Sequence, residues 1–281
     1  MHSVPSLTDV TVKKGRILIK KRTRATMVMQ FTLWSLAIFT MISPFLLDYG
    51  KIDWQTALTM TLGNLKMMFL QPVFNQITFG TAILQIGMTI ALALLATLLS
   101  AVISFFLAIL SAKNLAPSKV ATMIIAFNSF IRAVPTVLWV LILAIVAGLG
   151  AVACVLGMML HSIAYLTKAY AESFEEIEEG TIEALRASGS NWWHIIRAVV
   201  LPQSSSFLVS WTFLRFETNF DVAIAMGAAA AAGGIGFELF MASSFYYDLH
   251  EVGAITYCAL IVALMLEFIS VRIKRKLMMH S

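Results

Sequence analysis

The chain has 281 residues and a formal net charge of +5; only 12% of its residues are charged, while 59% are hydrophobic. Soluble domains carry roughly 25% charged residues, so this composition, with a mean hydropathy of +0.86, excludes an ordinary soluble chain. It implies an all-α integral membrane protein, a polytopic bundle of about six transmembrane helices at ~20 residues per crossing.

Basic residues collect at the two ends. Lys13, Lys14, Arg16, Lys20, Lys21, Arg22 and Arg24 lie in the segment 1–26, and Arg272, Lys274, Arg275 and Lys276 in the tail 272–281. Positive charge beside apolar runs marks the cytoplasmic side, so both termini are expected there. No nucleic-acid-reading motif accompanies the charge, which therefore serves orientation.

An uncleaved anchor helix is expected over 27–47: the run exceeds the ~7–15 residues of a signal-peptide core, and no small-residue cleavage site follows it. The external segment 48–82 contains an ambiguous stretch, 58–74. Asn64, Lys66, Gln71 and Pro72 argue against a crossing there, and an interfacial helix rich in Met and Phe is expected instead. The core, 83–271, opens with a span at 83–110 and a short basic turn containing Lys113, Asn114, Pro117 and Lys119. A third span, 120–148, is too long to be straight, and Arg132 and Pro135 mark a break within it. Gly148 and Gly150 offer an external turn before a fourth span at 151–168.

The stretch 170–202 is a charged island. Six glutamates fall between Glu172 and Glu183, so it belongs in water between two spans. Phe174, Ile177, Thr181 and Leu185 recur at helical spacing, with the glutamates on the other faces. Gly180 and Gly189 punctuate the run, and Pro202 suits the first turn of the next helix. Two short helices are expected, of an amphipathic kind suited to another protein's groove.

The fifth span, 204–227, carries Arg215, Glu217 and Asp221. Each charge costs ~2.5–3.5 kcal/mol at mid-bilayer, more than the helix's apolar residues recover at ~0.3–0.6 each. Its polar face must therefore meet another helix, a partner or a watery cavity. Glu217 and Asp221 share a face, as do Arg215 and Asn219. After the alanines 228–232 come Gly233, Gly234 and Gly236, then 237–251 with Glu238, Asp248 and Glu251 but neither Lys nor Arg, which fits an external location. No phosphate-loop pattern occurs, so the glycines read as a tight external turn or gate. The sixth span is 253–271, with Glu267 near its inner end.

Other conspicuous residues have structural readings. Cys154 and Cys258 lack metal or redox spacing and read as packing residues. His161 reads as a helix-to-helix hydrogen bond, Met67 and Met68 as lipid-facing or packing groups, and Trp192 and Trp193 as surface anchors. Hydrolase and metalloprotease motifs are absent, which disfavours a membrane enzyme.

Glu183-Ala184-Leu185, three residues, Gly189, nine residues, then Val199-Val200-Leu201-Pro202 resembles the cytoplasmic coupling loop of type 1 ABC importer permeases. Leu185 and Val199 replace an alanine and an isoleucine of that pattern. The stretches 131–139, 214–219 and 233–239 are similar to those of phosphonate ABC importer permeases, while the five-alanine run departs from the bulkier sequence expected before the glycines.

The resemblance implies a transport subunit of a bacterial plasma (inner) membrane, surrounded by membrane lipid. Glu183, Ala184, Leu185, Gly189, Val199, Leu201 and Pro202 would form the loop docked on an ATPase dimer. ATP and Mg would bind that partner, with no cofactor or metal on this chain. A second permease copy, identical or related, and an external substrate-binding protein would complete the assembly. Phosphonate is the implied substrate class, with methionine or another amino acid as the alternative. For Arg132, Arg215, Glu217 and Asp221 two roles stand: intramembrane ion pairs, or a translocation pathway in which arginine's fork meets an oxyanion.

Overall fold

The structure, a computed structural model, describes residues 10–13, 16–19, 24–46 and 53–278. It divides into two units, 1–61 and 62–281. Within the first, β1 (Val10–Lys13) and β2 (Arg16–Ile19) pair antiparallel, with Val10 opposite Ile19, and α1 (Arg24–Leu46) follows. The hairpin lies in the stretch read from sequence only as a basic leader, and it is the one sheet among the described residues. Of the seven leader cations, Lys14, Lys20, Lys21 and Arg22 lie outside the described residues. No residue of α1 is buried, as suits a helix that is apolar all round.

α2 (Trp54–Leu70) crosses the division between the units. Its start is fixed by Asp53, whose carboxylate accepts from the Gln55 and Thr56 N–H groups and from the Thr56 hydroxyl. Those bonds hold the Asp53 carboxyl below the usual carboxylate range, the Thr56 side chain contributing most. The helix ends just before Gln71 and Pro72, the residues that weighed against a crossing.

In the second unit follow α3 (Phe79–Ser111), α4 (Ser118–Ala133), α5 (Thr136–Ala147), α6 (Ala151–Glu175) and α7 (Glu179–Ala187). Then come α8 (Trp192–Ile195), α9 (Leu201–Ala229), α10 (Ile235–Phe240) and α11 (Leu249–Met278). The bundle is centred on α3 and α6. Small residues recur along α3 at helical spacing, among them Ala93, Ala96, Ser100, Ser104 and Ala108, all fully buried. They let the two backbones approach, and Ser100 and Ser104 donate across the interface to the carbonyls of Met159 (3.2 Å) and Ile163 (3.0 Å). Association through small residues and short polar side chains is what lipid permits, where hydrophobicity alone drives nothing together.

By length and composition α1, α3, α6 and α11 can each cross a membrane, and α4 with α5 make a fifth candidate bent by 88°. Six spans were expected. α9 accounts for the difference: its 29 residues, ~43 Å of helix, suffice for a bilayer, but Arg215, Glu217 and Asp221 reduce its apolarity. The break expected in the third span is a right-angle turn at Val134-Pro135. Proline excludes the helical conformation from the residue before it, and Val134 is accordingly extended at φ −91° and ψ 124°. The Ile131 carbonyl in the last turn of α4 receives the Trp139 indole N–H at 3.0 Å.

Gly148 and Gly150 bracket the α5–α6 turn, where Gly150 N–H donates to the Ala230 carbonyl at 2.8 Å. At that same end of the bundle, Gly233 and Gly234 turn the chain from α9 into α10 with φ +78° each. Their neighbours are tied to α3: Gly234 N–H donates to Gln85 Oε1 (3.1 Å) and Ile235 N–H to Thr89 Oγ1 (2.9 Å). Beyond α10, Asp248 caps α11 through the N–H groups of His250 and Glu251 and accepts from the Asn75 amide. The Asn75 bond is the main reason its carboxyl lies below the usual range. Buried Glu251 takes the N–H groups of Gln76 and Ile77, which fixes the chain entering α3.

Candidate functional site: an acidic lever and a polar core

The charged loop is built as a rigid unit. α6 continues through Phe174 to Glu175, so the single helical face expected for Phe174, Ile177, Thr181 and Leu185 is split by the non-helical stretch 176–178. The inward residues are Phe174 (0% exposed), Ile177 (8%) and Ile182 (1%), with Leu185 partly covered. They pack with Ile109 in the last turn of α3, with Leu115 in the turn that follows it, and with Ile195, Val199 and Val200. Thr181, predicted inward, is displaced by Ile182, because the break resets the helical phase. Polar bonds hold the same joint: Asn114 Nδ2 donates to Phe174 O (2.8 Å), Arg186 Nη2 to Asn114 O (3.1 Å), and Lys113 N–H to Glu175 Oε1 (2.8 Å). Trp192 also departs from its expected surface role. Its indole N–H donates to Leu115 O at 3.0 Å, and its ring packs on the apolar joint; Trp193 is the exposed member of the pair.

α7 ends in a Schellman motif. Ser190 N–H returns to Leu185 O (3.1 Å) and Gly189 N–H to Arg186 O (3.0 Å), with Gly189 at φ +82°. A side chain there would strain the left-handed backbone by ~1–2 kcal/mol, which explains the glycine. Pro202 lies in the first turn of α9, as expected, but α9 is not a fresh start. Helical backbone runs from Trp192, capped by Asn191 Oδ1 on the His194 N–H (2.8 Å), through the π turn Ile196–Val200 into α9. A proline inside a helix crowds the carbonyl one turn back; the wide π turn just ahead of Pro202 relieves that crowding.

Among the loop residues singled out from sequence, Leu185 and Val199 face inward, while Glu183, Ala184, Gly189, Leu201 and Pro202 are exposed. All six glutamates from Glu172 to Glu183 are exposed as well. The loop is thus a stiff, acidic, outward-facing surface whose apolar underside is anchored to α3, α6 and α8.

A second constellation lies inside the bundle. Arg215 of α9 is 4% exposed. Its Nε donates to Ser162 Oγ (2.8 Å), its Nη2 to His161 Nδ1 (3.1 Å), and its guanidinium stacks over Tyr165 at 5.3 Å. Asn219, one turn on, donates to Thr97 Oγ1 (2.9 Å) and to Ser162 Oγ (3.0 Å), joining α3, α6 and α9. His161 is therefore the helix-to-helix hydrogen bond expected of it. The intramembrane ion pairs are not formed: among the described residues the one salt bridge is Lys168–Glu172 at 3.5 Å. Arg215 is satisfied by neutral acceptors and an aromatic face, Glu217 is half-buried, and Asp221 is exposed. Hydroxyls, with one donor and two acceptor sites, knit this network without a second buried charge. Their contribution was missed in the sequence, where Ser162 and Thr97 look like ordinary small residues.

Arg132, at the end of α4, lies apart from these. It borders a cavity of 350 Å³ between α3, α4 and α6, near the charged loop, with Lys113 and Lys168 also on its wall. At the opposite end, Gly236 is buried where α10 crosses α9, and a Cβ built on it would collide with the Ile224 carbonyl. Gly233, Gly234 and Gly236 thus serve one close-packed turn, and the alanines beside them fill the little space left: Ala230 and Ala232 are 0% and 3% exposed. Cys154 is buried in packing, as expected.

Comparison with known proteins agrees with this architecture. The chain is 31% identical over 191 residues to the phosphate-import permease protein PhnE of Mycolicibacterium smegmatis, covering 67% of this chain and 35% of that one. It is 34% identical over 169 residues to the phosphite transport system permease protein PtxC of Stutzerimonas stutzeri, covering 59% and 60%. The chain thus spans about a third and somewhat under two thirds of those relatives' lengths. Among solved structures, an inward-facing MetNI methionine ABC transporter superposes with a TM-score of 0.65 at 20% identity, over 73% of this chain and 99% of the other, a likeness of fold. Residues 104–277 match the family described as binding-protein-dependent transport system inner membrane component, a stretch running from α3 through the acidic loop and the polar core into α11, and the chain belongs to that family of multi-pass membrane permeases.

Proposed function

We propose that this chain is the membrane-spanning subunit of an ATP-driven importer for phosphonates or related phosphorus oxyanions. The acidic loop is its cytoplasmic coupling surface. The observation that carries the reading is the anchorage of α7: its apolar side is locked to the ends of α3 and α6 while Glu183 and Ala184 face outward. A push on such a surface moves the helices instead of being absorbed by a slack linker. ATP and Mg act on a separate ATPase dimer docked there, and closure of that dimer rocks the spans between inward-open and outward-open arrangements.

Orientation follows from the charges. The exposed cations at the end of α11, Arg272 and Arg275, lie on the cytoplasmic side, as does the loop, whereas the α9–α10 turn and the lysine- and arginine-free stretch 237–251 are external. A substrate-binding protein delivers its ligand at that external end. Thr218, Asp221 and Ala225 form an exposed row on α9; lipid is a poor neighbour for Asp221, so a second permease copy covers this row. The substrate class rests on the names of the relatives, phosphate-import and phosphite permeases.

The test is reconstitution. Proteoliposomes containing the chain with its ATPase and binding protein are expected to accumulate methylphosphonate when ATP is supplied, with no inhibition by methionine. Accumulation of methionine in place of methylphosphonate would move the protein to the amino-acid importers.

A further inference from the structure

The cavity between α3, α4 and α6 contains polar groups that the fold leaves unanswered. Arg132 Nε is buried without a hydrogen-bond partner, and its Nη2 reaches only Ser129 Oγ, at 3.4 Å. Asn128, one turn before, is 3% exposed and lines the same space, yet its side-chain amide makes no hydrogen bond among the described residues. A buried donor without an acceptor costs ~1–3 kcal/mol, more when charged, so Arg132 maintains an unfavourable arrangement beside an opening.

Charge points to the missing group. Lys113, Arg132 and Lys168 face the cavity with Glu172 and Glu175, three cations against two carboxylates. Lys168 is paired with Glu172 at 3.5 Å, and Glu175 is engaged by the Lys113 N–H at 2.8 Å. The Lys113 bond is from its backbone, so the Lys113 ammonium and Arg132 both lack an ion-pair partner among the described residues; Arg132 is the one with a buried, unanswered N–H. The rim is open, since the Lys168 and Glu172 side chains are 54% and 59% exposed. A volume of 350 Å³ is in the range of small-molecule sites, roughly 300–1,000 Å³. A guanidinium with a free edge and an unpaired amide fit an anion with several acceptor oxygens, which arginine grips in a forked geometry.

We propose that this cavity binds a tetrahedral phosphorus oxyanion from the cytoplasmic side, so that substrate already released rebinds beside the coupling loop and slows further import. Arg132 supplies the charge and Asn128 a neutral donor, and Glu175 sets the selectivity by repelling larger polyanions. This rests on the orientation proposed above. It goes beyond the transport reading by placing a feedback site on the permease itself, separate from the Arg215 network. The same chemistry could come from a soluble phosphonate or from a lipid phosphomonoester headgroup.

The experiment is equilibrium titration of the nanodisc-embedded transporter, without ATP or binding protein, using methylphosphonate and inorganic phosphate as probes. Discs of phosphatidylcholine and discs enriched in phosphatidic acid are compared. One site per permease is expected in both. Affinity should fall on the order of tenfold or more in Arg132→Gln and less in Arg132→Lys, the difference expected for loss of a charged donor. Binding in phosphatidylcholine that is abolished by phosphatidic acid would give the site to a lipid headgroup and overturn the feedback role. Absence of binding in either disc, or equal affinity in Arg132→Gln, would overturn the site, while uptake by the reconstituted complex would still stand as the separate test of the importer. In proteoliposomes preloaded with methylphosphonate, fractional inhibition of uptake, normalised to each variant's own rate, is expected to be smaller for Arg132→Gln.

Discussion

Replacing Glu183 with lysine is expected to cut ATP-driven uptake by about tenfold or more while the chain still inserts and folds. Glu183 is exposed on α7, carries no hydrogen bond or ion pair among the described residues, and lies opposite the apolar underside formed by Ile182. Little of the fold depends on its carboxylate, so the substitution acts on whatever covers that surface. Reversing a charge within a docked interface sets like charges together at a cost of several kcal/mol, and each 1.4 kcal/mol is a factor of ten. The checks are uptake and ATPase rate in reconstituted vesicles, with expression and melting of the purified chain as the control for folding. Uptake at the normal rate would remove Glu183 from the docking surface.

Gly236→Ala is expected to damage the fold itself. A Cβ at this position would overlap the carbonyl and backbone of Ile224, so relief requires α9 and α10 to separate. The turn cannot drift freely, because Gly234 and Ile235 are bonded to Gln85 and Thr89 of α3. Overpacking of a tight core costs typically ~1–3 kcal/mol and occasionally more; a clash against backbone belongs at the upper end. Detergent-solubilised protein should therefore melt several degrees lower than the parent. Gly87→Ala is the control, since a Cβ there meets nothing within 4 Å. Equal melting of the Gly236 and Gly87 variants would show that the α9–α10 crossing is looser than described.

The sequence announced its helices and its joints because both rest on local chemistry. Pro135 forbids a straight third span whatever surrounds it, and Gly189 answers a Schellman turn that three neighbouring residues create. The acidic loop was legible for the same reason, six glutamates having no place in lipid. What eluded the sequence was phase and partnership. The break after Glu175 put Ile182 inward where Thr181 had been expected, and nothing local revealed that helix would resume at Trp192 through a π turn. Arg215 shows the larger limit. Its charge called for another helix, a partner or a watery cavity, but nothing local said which; the structure uses Ser162, His161 and Tyr165, more than forty residues away on another helix. Arg132's unanswered Nε is likewise visible only once α3, α4 and α6 are assembled.

The central claim is that the stiff acidic loop faces the cytoplasm as a handle for a separate motor. Ala184→Cys tests it most directly, because Ala184 is exposed on α7 whereas Cys154 is buried and Cys258 is partly covered. A membrane-impermeant maleimide is applied to intact cells and to inside-out vesicles, with the parent chain as background. Labelling confined to inside-out vesicles, and reduced when the ATPase is bound, is the predicted result. Labelling of Ala184→Cys in intact cells would place the loop outside and contradict the account.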